Sequence, residues 1–393
     1  QAVLWKTDLT GEPLTIGQNT QQTLTVEAGV TRDVDPNTTV SYQWYVNTTA
    51  STEGGKAVKD ANKADFTVPS GELGTFYYYV VASSHGLESA TSKVVEVTVK
   101  AVPKSLTLTS DYPYTVPNAS TNAYGGVSYV VKQGTQMQLR VLDENGSETP
   151  VIWKVDGAYG GKLDTETGVY TVTSASYTYV TAVSALDPSV TSGKTVIDVK
   201  FYPISDYYKN QTVRLNADGQ TVKTASVIGG INGYNIWEVK DPDGVAEITS
   251  DLTTKPGSLG MNVLRPGKVE VTLTLDVGPE GAPKLTDTAV LNVTGVAVEN
   301  ADGGFGKAYL EKTSENAAPT MQLKAIPEEG RSIASWTSAN EDVATVDDKG
   351  VVTAHAVGTA QITATDDKGT KGGILAVVSD SQNPTFEKLE LFG

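Results

Sequence analysis

Apolar and polar residues alternate in short runs along this chain of 393 residues. Val95-Glu96-Val97-Thr98-Val99, Val196-Ile197-Asp198-Val199, Ala289-Val290-Leu291-Asn292-Val293 and Ile374-Leu375-Ala376-Val377-Val378 are four such runs. A period of two puts successive side chains on opposite faces, so each run predicts a half-buried β-strand. The stretches between are filled with Thr, Ser, Gly, Asn and Asp, which favour turns. The apolar residues are mostly Val, Leu, Ile and Ala, and Val, Thr and Tyr suit a pleated surface. The pattern predicts an all-β chain.

A longer period lies over the short one. Trp44, Trp153, Trp237 and Trp336 recur at intervals of roughly 100 residues, each in a short apolar segment. One tryptophan per such length, on a central strand with its indole between two sheets, is the pattern of an immunoglobulin-type sandwich. The flanks repeat as well. Met137-Gln138-Leu139-Arg140 precedes Trp153, and Met321-Gln322-Leu323-Lys324 precedes Trp336. In both, alternation places Met and Leu on one face and the polar residues on the other.

The closing strands set the expected boundaries. The chain divides into a tandem array of about four Ig-like domains at 1–100, 101–201, 202–296 and 297–380, with a remainder at 381–393. Junctions such as Lys100-Ala101-Val102-Pro103 are short and carry no Gly/Ser-rich or Pro-rich tether, so a semi-rigid rod is expected. The tail Phe386-Glu387-Lys388-Leu389-Glu390-Leu391 resembles Val102-Pro103-Lys104-Ser105-Leu106-Thr107-Leu108. It reads either as the first strand of a further domain or as a strand completing the fourth. Gln1 is not an initiator methionine, so a trimmed product or a fragment is expected.

Charge and composition then narrow the partners. The net charge is −16, which repels phosphate backbones and anionic lipid, so neither nucleic acid nor direct membrane insertion is expected. No apolar run reaches the length of a membrane-spanning helix. The chain has no cysteine, which excludes disulfides, thiolate metal sites and cysteine nucleophiles. An extracellular Ig-like array without disulfides points to a bacterial or phage source.

One segment carries a family resemblance. Trp336-Thr337-Ser338-Ala339-Asn340, Val343-Ala344-Thr345-Val346-Asp347, Gly350-Val351-Val352-Thr353-Ala354 and Gly358-Thr359-Ala360-Gln361-Ile362-Thr363-Ala364 occur in order. Together they resemble the bacterial Ig-like group 2 domain. Asp348-Lys349-Gly350 reads as a tight turn whose glycine supplies positive φ, and Ala360, Ile362 and Ala364 as inward residues. The second domain is a looser match through Leu163-Asp164-Thr165-Glu166-Thr167-Gly168-Val169, and Ser176-Tyr177-Thr178-Tyr179 stands where the Gly-Thr-Ala block should be. The third and first domains depart further. The resemblance implies modules of bacterial adhesins, surface-layer proteins, surface enzymes or phage virions, hence an extracellular or virion-surface setting. It implies no particular ligand.

The search for chemistry yields little. His85 and His355 are the two histidines; both read as loop or surface residues, and no His pair has metal-ligand spacing. The carboxylates sit in turn contexts, such as Asp143-Glu144-Asn145-Gly146, Asp241-Pro242-Asp243-Gly244, Asp347-Asp348-Lys349-Gly350 and Asp366-Asp367-Lys368-Gly369. No catalytic residue and no cofactor is expected, and calcium at domain junctions is the one metal the composition admits. Asp302-Gly303-Gly304-Phe305-Gly306-Lys307 lacks the spacing of a phosphate loop and reads as a turn.

One constellation suggests recognition. If Tyr42, Trp44 and Val46 face inward on one strand and Phe76, Tyr78 and Val80 on its neighbour, then Tyr45, Tyr77 and Tyr79 face outward. Three such rings would form an aromatic platform for a sugar or an apolar partner; cross-strand packing that merely stabilises the sheet is the alternative. Tyr177 and Tyr179 alternate similarly, and core packing is expected for them. The sequence therefore predicts a non-catalytic structural or interaction section of a bacterial cell-surface protein, of surface-layer or adhesin type. Its expected partners are itself, other surface proteins or glycans. A glycan- or protein-binding module, and an accessory region of a surface glycosidase or phage virion protein, are the alternatives.

Overall fold

The computed structural model describes residues 1–31, 38–118, 126–218 and 222–381. The tail from Pro384, on which the expectation of a further strand rests, lies outside the described residues. The chain is an all-β tandem array of Ig-like β-sandwiches, with one four-residue helix at Asp206–Lys209 and one 3-10 turn at Leu252–Thr254 among the described residues. It falls into two compact units. The first holds Gln1–Pro113, Pro117–Tyr129 and Gln133–Val199; the second holds Tyr114–Val116, Val130–Lys132 and the chain from Lys200 onward.

Among the described residues, every sheet draws its strands from one of four stretches, 3–100, 107–201, 210–294 or 297–380. In the first stretch the main sheet runs Leu14–Gly17, Val95–Lys100, Gly74–Ser83, Ser41–Asn47, Lys56–Ala57. Short pairs, Val3–Thr7 with Glu27–Val30 and Thr23–Thr25 with Asp65–Thr67, accompany it. Trp44 is fully buried and stacks on Phe66 at 4.8 Å, with Phe66 leaning on Tyr78 at 5.4 Å. The Trp44 indole N–H donates to the Lys63 carbonyl at 2.9 Å, which satisfies the one polar group its burial would otherwise strand.

The second stretch sets Thr107–Ser110, Gln136–Leu142, Val169–Val172 and Gly161–Leu163 in one sheet. The other sheet runs Thr115–Pro117, Val127–Val131, Thr195–Phe201, Tyr177–Ser184, Val151–Ala158. Met137 and Leu139 are buried as their alternation requires. The third stretch pairs a four-stranded sheet (Asn210–Arg214, Leu285–Thr294, Gly267–Leu275, Asn235–Lys240) with a three-stranded one (Lys223–Ile228, Ser258–Val263, Ala246–Ile248). Its core contains Trp237, Leu259, Met261, Leu273 and Leu291. The fourth has Lys307–Lys312, Lys371–Asp380, Gly358–Asp366 and Ile333–Ser338 facing Thr320–Gln322, Val351–Ala354 and Ala344–Val346. Its core is built of small residues, with Ala308, Ala344, Ala354, Ala360, Ala364 and Ala376 around Ile362 and Ile374.

The repeated tryptophans are not equivalent. Trp44 and Trp237 are buried, whereas Trp153 and Trp336 are only half-buried. The expectation of a central strand holds for Ser41–Asn47, which lies between two partners. It fails for the strands of Trp153, Trp237 and Trp336, each of which ends its sheet. Trp237 is nonetheless buried in the core of its sandwich, whereas Trp153 and Trp336 are covered less completely. In the second and fourth sandwiches the cover comes from a turn. Gly350 has φ of +81°, and a Cβ there would stand 2.7 Å from the Trp336 ring. The Gln of the Met-Gln-Leu motif fixes that turn: Gln322 Nε2 donates to the Leu323 and Lys349 carbonyls, and Gln138 Nε2 to those of Leu139 and Thr167. The repeat thus encodes a side-chain brace across a turn, a role alternation does not reveal.

Candidate functional site

The carboxylate-rich turns are explained by backbone hydrogen bonding. Asp347 Oδ1 accepts the N–H groups of Lys349 and Val351 at 2.9 and 2.7 Å. Asp143 does the same for Asn145 and Ser147, Asp164 for Glu166 and Thr167, and Asp241 for Val245 and Ala246. The N–H bonds from Thr167 and Glu166 hold Asp164 below the usual carboxylate range. Among the described residues no three His, Cys, Asp or Glu side chains cluster as a metal would require. His355 Nε2 meets Thr345 Oγ1 at 2.8 Å on the surface. The Asp302–Lys307 segment is a turn in which Asn300 Oδ1 accepts the N–H groups of Asp302 and Gly304.

The fourth sandwich holds one buried carboxylate. The Asp366 side chain is inaccessible to solvent and bonds Arg331 Nη1 at 3.0 Å together with the N–H groups of Lys368 and Thr370. Burial by itself would raise its pKa; Arg331 and the N–H groups of Thr370 and Lys368 outweigh that and lower it. Arg331 also reaches Glu328 at 3.3 Å, and Glu328 Oε1 accepts the Gly295 N–H at 3.0 Å. Within the second unit this chain of contacts ties the end of the third sandwich to the fourth. Close by, Arg265 reaches Glu299 at 3.8 Å and lies over the Phe305 ring.

The expected aromatic platform is half present. Tyr45 sits directly opposite Tyr79 in the register, and their rings stack at 5.0 Å with an interplanar angle of 6°. Tyr77 faces Asn47 on one side and Glu96 on the other. Outward direction does not mean exposure, however. Tyr79 is only 4% exposed, because Gly55, beside the short strand Lys56–Ala57, closes over it; a Cβ on Gly55 would stand 2.4 Å from the Tyr79 hydroxyl. The expectation of three exposed rings is corrected to two partly buried ones over a third that is covered. Burial and then the neighbouring Tyr45 push the Tyr79 hydroxyl up; for Tyr77 burial leads and Glu96 follows.

A different aromatic group is open to solvent. Tyr159, Tyr177 and Tyr179 form a ladder, with ring centroids 5.4 and 5.2 Å apart and edge-to-face angles of 66° and 65°. Lys194 Nζ sits 4.3 Å from the centre of the Tyr179 ring. Tyr159 is 61% exposed and Tyr177 40%, so core packing, expected for Tyr177 and Tyr179, does not hold. Alternation places Tyr177 and Tyr179 on the outer face; Tyr159 joins them through a bulge. The register between Val151–Ala158 and Tyr177–Ser184 shifts between Val155 and Ala158, and the N–H groups of Tyr159 and Gly160 both donate to the Tyr177 carbonyl. Gly157, at φ of +114°, leaves room for the Tyr159 ring. The i, i+2 spacing of Tyr177 and Tyr179 was the readable signal; Tyr159 became their neighbour only through the bulge.

Comparison with known proteins agrees with the class this geometry defines, an array of Ig-like sandwiches. Residues 311–377 match the bacterial Ig-like domain (group 2). A curated relative, the lacto-N-biosidase of Bifidobacterium bifidum, is 27% identical over 166 residues, which is 42% of this chain and 14% of that protein. The chain therefore spans a small part of that relative's length. Among solved structures, the fibronectin(III)-like modules of Clostridium thermocellum CbhA are 18% identical over 51% of this chain and 94% of theirs, with a TM-score of 0.28. An I-band fragment of titin is 12% identical over 75% of this chain and 98% of its own, with a TM-score of 0.24. At such low scores these structures carry no argument. Among the described residues, no helix is long and apolar enough to cross a membrane.

Proposed function

We propose that this chain is a non-catalytic spacer and interaction section of a bacterial cell-surface protein, held outside the cell as part of an adhesin or surface layer. The observation that carries this reading is the bacterial Ig-like match at 311–377 within a series of sandwiches, each with its own sheets. The sheet limits at 3–100, 107–201, 210–294 and 297–380 support domain bounds at 1–100, 101–201, 202–296 and 297–380. Turn acids that are already engaged with backbone N–H groups fit a surface built for solubility in place of chemistry. Light scattering and small-angle scattering over a concentration series test the reading. A lattice-forming section gains mass with concentration; a spacer stays monomeric; turnover of any glycoside by the purified chain refutes both.

A second reading has its own observation. The exposed Tyr159–Tyr177–Tyr179 ladder, with Lys194 beside it, offers apolar faces and edges of the kind that sugars and protein partners use. Under this reading the chain is an accessory recognition region of a larger surface enzyme, a setting in keeping with the similarity of part of it to a lacto-N-biosidase. The partly buried Tyr45 and Tyr77 make a lesser candidate surface. Titration with neutral oligosaccharides, wild type against Tyr177→Ala, separates recognition from a purely structural ladder.

A further inference from the structure

The open tyrosine ladder of the second sandwich does not stand alone on its sheet. Tyr177 is paired with Asp198, and Tyr179 with Val196, in the antiparallel register, so these side chains leave the sheet on one face. A carboxylate therefore stands directly opposite the middle ring of the ladder, and it is held there. Ser128, which is fully buried, donates its hydroxyl to Asp198 Oδ2. Asn118 Nδ2 donates to the same oxygen and to Ser128 Oγ, both at 3.0 Å. Both donors take Oδ2, so among the described residues Oδ1 is left as an acceptor without a protein donor. At the other end of the ladder Lys194 Nζ lies 4.3 Å from the centre of the Tyr179 ring.

The presentation of Tyr159 is equally specific. Its ring is 61% exposed, so burial does not hold it; the backbone does. Besides the two N–H groups shared by the Tyr177 carbonyl, the Gly160 carbonyl accepts the N–H groups of Thr173 and Ser174 at 3.0 and 3.2 Å, and the Ser174 hydroxyl donates to the Tyr159 carbonyl. A bulge fixed in this way aims a side chain without packing it. The first sandwich provides the contrast. Its Tyr45–Tyr79 stack also points outward, but Gly55 closes over Tyr79. Cross-strand stabilisation needs no ring held open to water.

Three kinds of group on this face select the ligand. Tyrosine rings match the C–H face of a pyranose. A carboxylate oxygen with a free lone pair accepts sugar hydroxyls in charge-assisted bonds, and a lysine ammonium donates to hydroxyl oxygens. An acidic saccharide would bring its carboxylates against Asp198 on a chain of net charge −16. An apolar peptide segment would cover Asp198 without offering it a donor. We infer that this face of the second sandwich binds a neutral oligosaccharide, with sugar rings on Tyr159 and Tyr177 and a hydroxyl donated to Asp198 Oδ1. The site rests on the recognition reading of the ladder and adds to it the ligand class and the residue that reads the hydroxyls.

Isothermal titration of the full chain tests it, with neutral hexamers of glucose, galactose and mannose units and with hexagalacturonate. Wild type is compared with Tyr159→Ala, Tyr177→Ala and Asp198→Asn, each checked by its melting temperature; the comparison of neutral with acidic hexamers needs no variant. In Asp198→Asn, Ser128 and Asn118 hold the new carbonyl and turn its NH₂ outward, so a donor replaces the acceptor. At least one neutral hexamer should bind the wild type, and hexagalacturonate should not. Asp198→Asn should weaken binding about tenfold, the worth of one charge-assisted bond. The two tyrosine variants should abolish it. Binding that is lost in the tyrosine variants but unchanged in Asp198→Asn, or hexagalacturonate bound as tightly as any neutral hexamer, would overturn the inference and leave the ladder a recognition surface. No binding of any neutral hexamer to the wild type, or binding indifferent to Tyr177→Ala, would overturn both.

Discussion

Replacing Trp44 by alanine removes the largest fully buried side chain of the first sandwich. A tryptophan buries about 200 Å². At about 25 cal/mol per Å² that is worth about 5 kcal/mol, reduced to about 3–4 kcal/mol because the unfolded chain is already partly collapsed. The lost stack on Phe66 adds to the loss, whereas the lost bond to Lys63 adds little, because Lys63 is exposed and water takes the place of the indole. The total, about 4 kcal/mol, falls in the usual range for large-to-small core changes. At about 4–8 °C per kcal/mol for a domain of this size, one calorimetric transition of the full chain should drop by more than about 15 °C while the others stay in place. Trp336→Ala, where the indole is half-buried on a sheet edge, should cost about half as much, in a different transition. Equal shifts for the two variants, or a shift of a few degrees for Trp44→Ala, would refute the division of the tryptophans into buried and half-buried.

Gly350→Ala should destabilise the fourth sandwich by more than about 1 kcal/mol, because the position needs positive φ and its Cβ would press on the Trp336 ring; denaturant unfolding measures it. Tyr177→Ala should change stability by only about 1 kcal/mol, the worth of an exposed aromatic pair, and thermal melting that showed a far larger loss would make the ladder a core element. Asp366 and Asp164 both have folded-state pKa values below their ordinary range. Their contribution is therefore present above the unfolded carboxylate pKa, near about 4, and is lost as pH falls through the lower folded value. Melting temperature followed downward from pH 7 should hold and then fall below about pH 5. Asp366→Asn should flatten that fall in the transition of the fourth sandwich.

Much of this protein is written in its period-two pattern. Alternation at Val95–Val99, Ala289–Val293 and Ala360–Ala364 marked strands and their inward faces, because on a pleated strand the choice of face is local and the buried side must be apolar. The Asp-x-x-Gly turns were equally plain, since a carboxylate that caps nearby N–H groups and a glycine at positive φ solve a local problem. What the sequence could not show is which strand lies beside which. Trp44 and Trp336 sit in similar segments, yet only the first has a strand on both sides of it. Tyr79 and Tyr177 both point outward, yet a short strand and a glycine cover one while nothing comparable covers the other. Tyr159 reaches its partners through a bulge, and the parallel pairs Leu14–Gly17 with Val95–Lys100, Asn210–Arg214 with Leu285–Thr294 and Lys307–Lys312 with Lys371–Asp380 join residues about 70 to 80 positions apart. Strand identity follows from side-chain chemistry within a few residues. Neighbours, edges and exposure follow from pairing across the whole domain, and only the tertiary structure decides them.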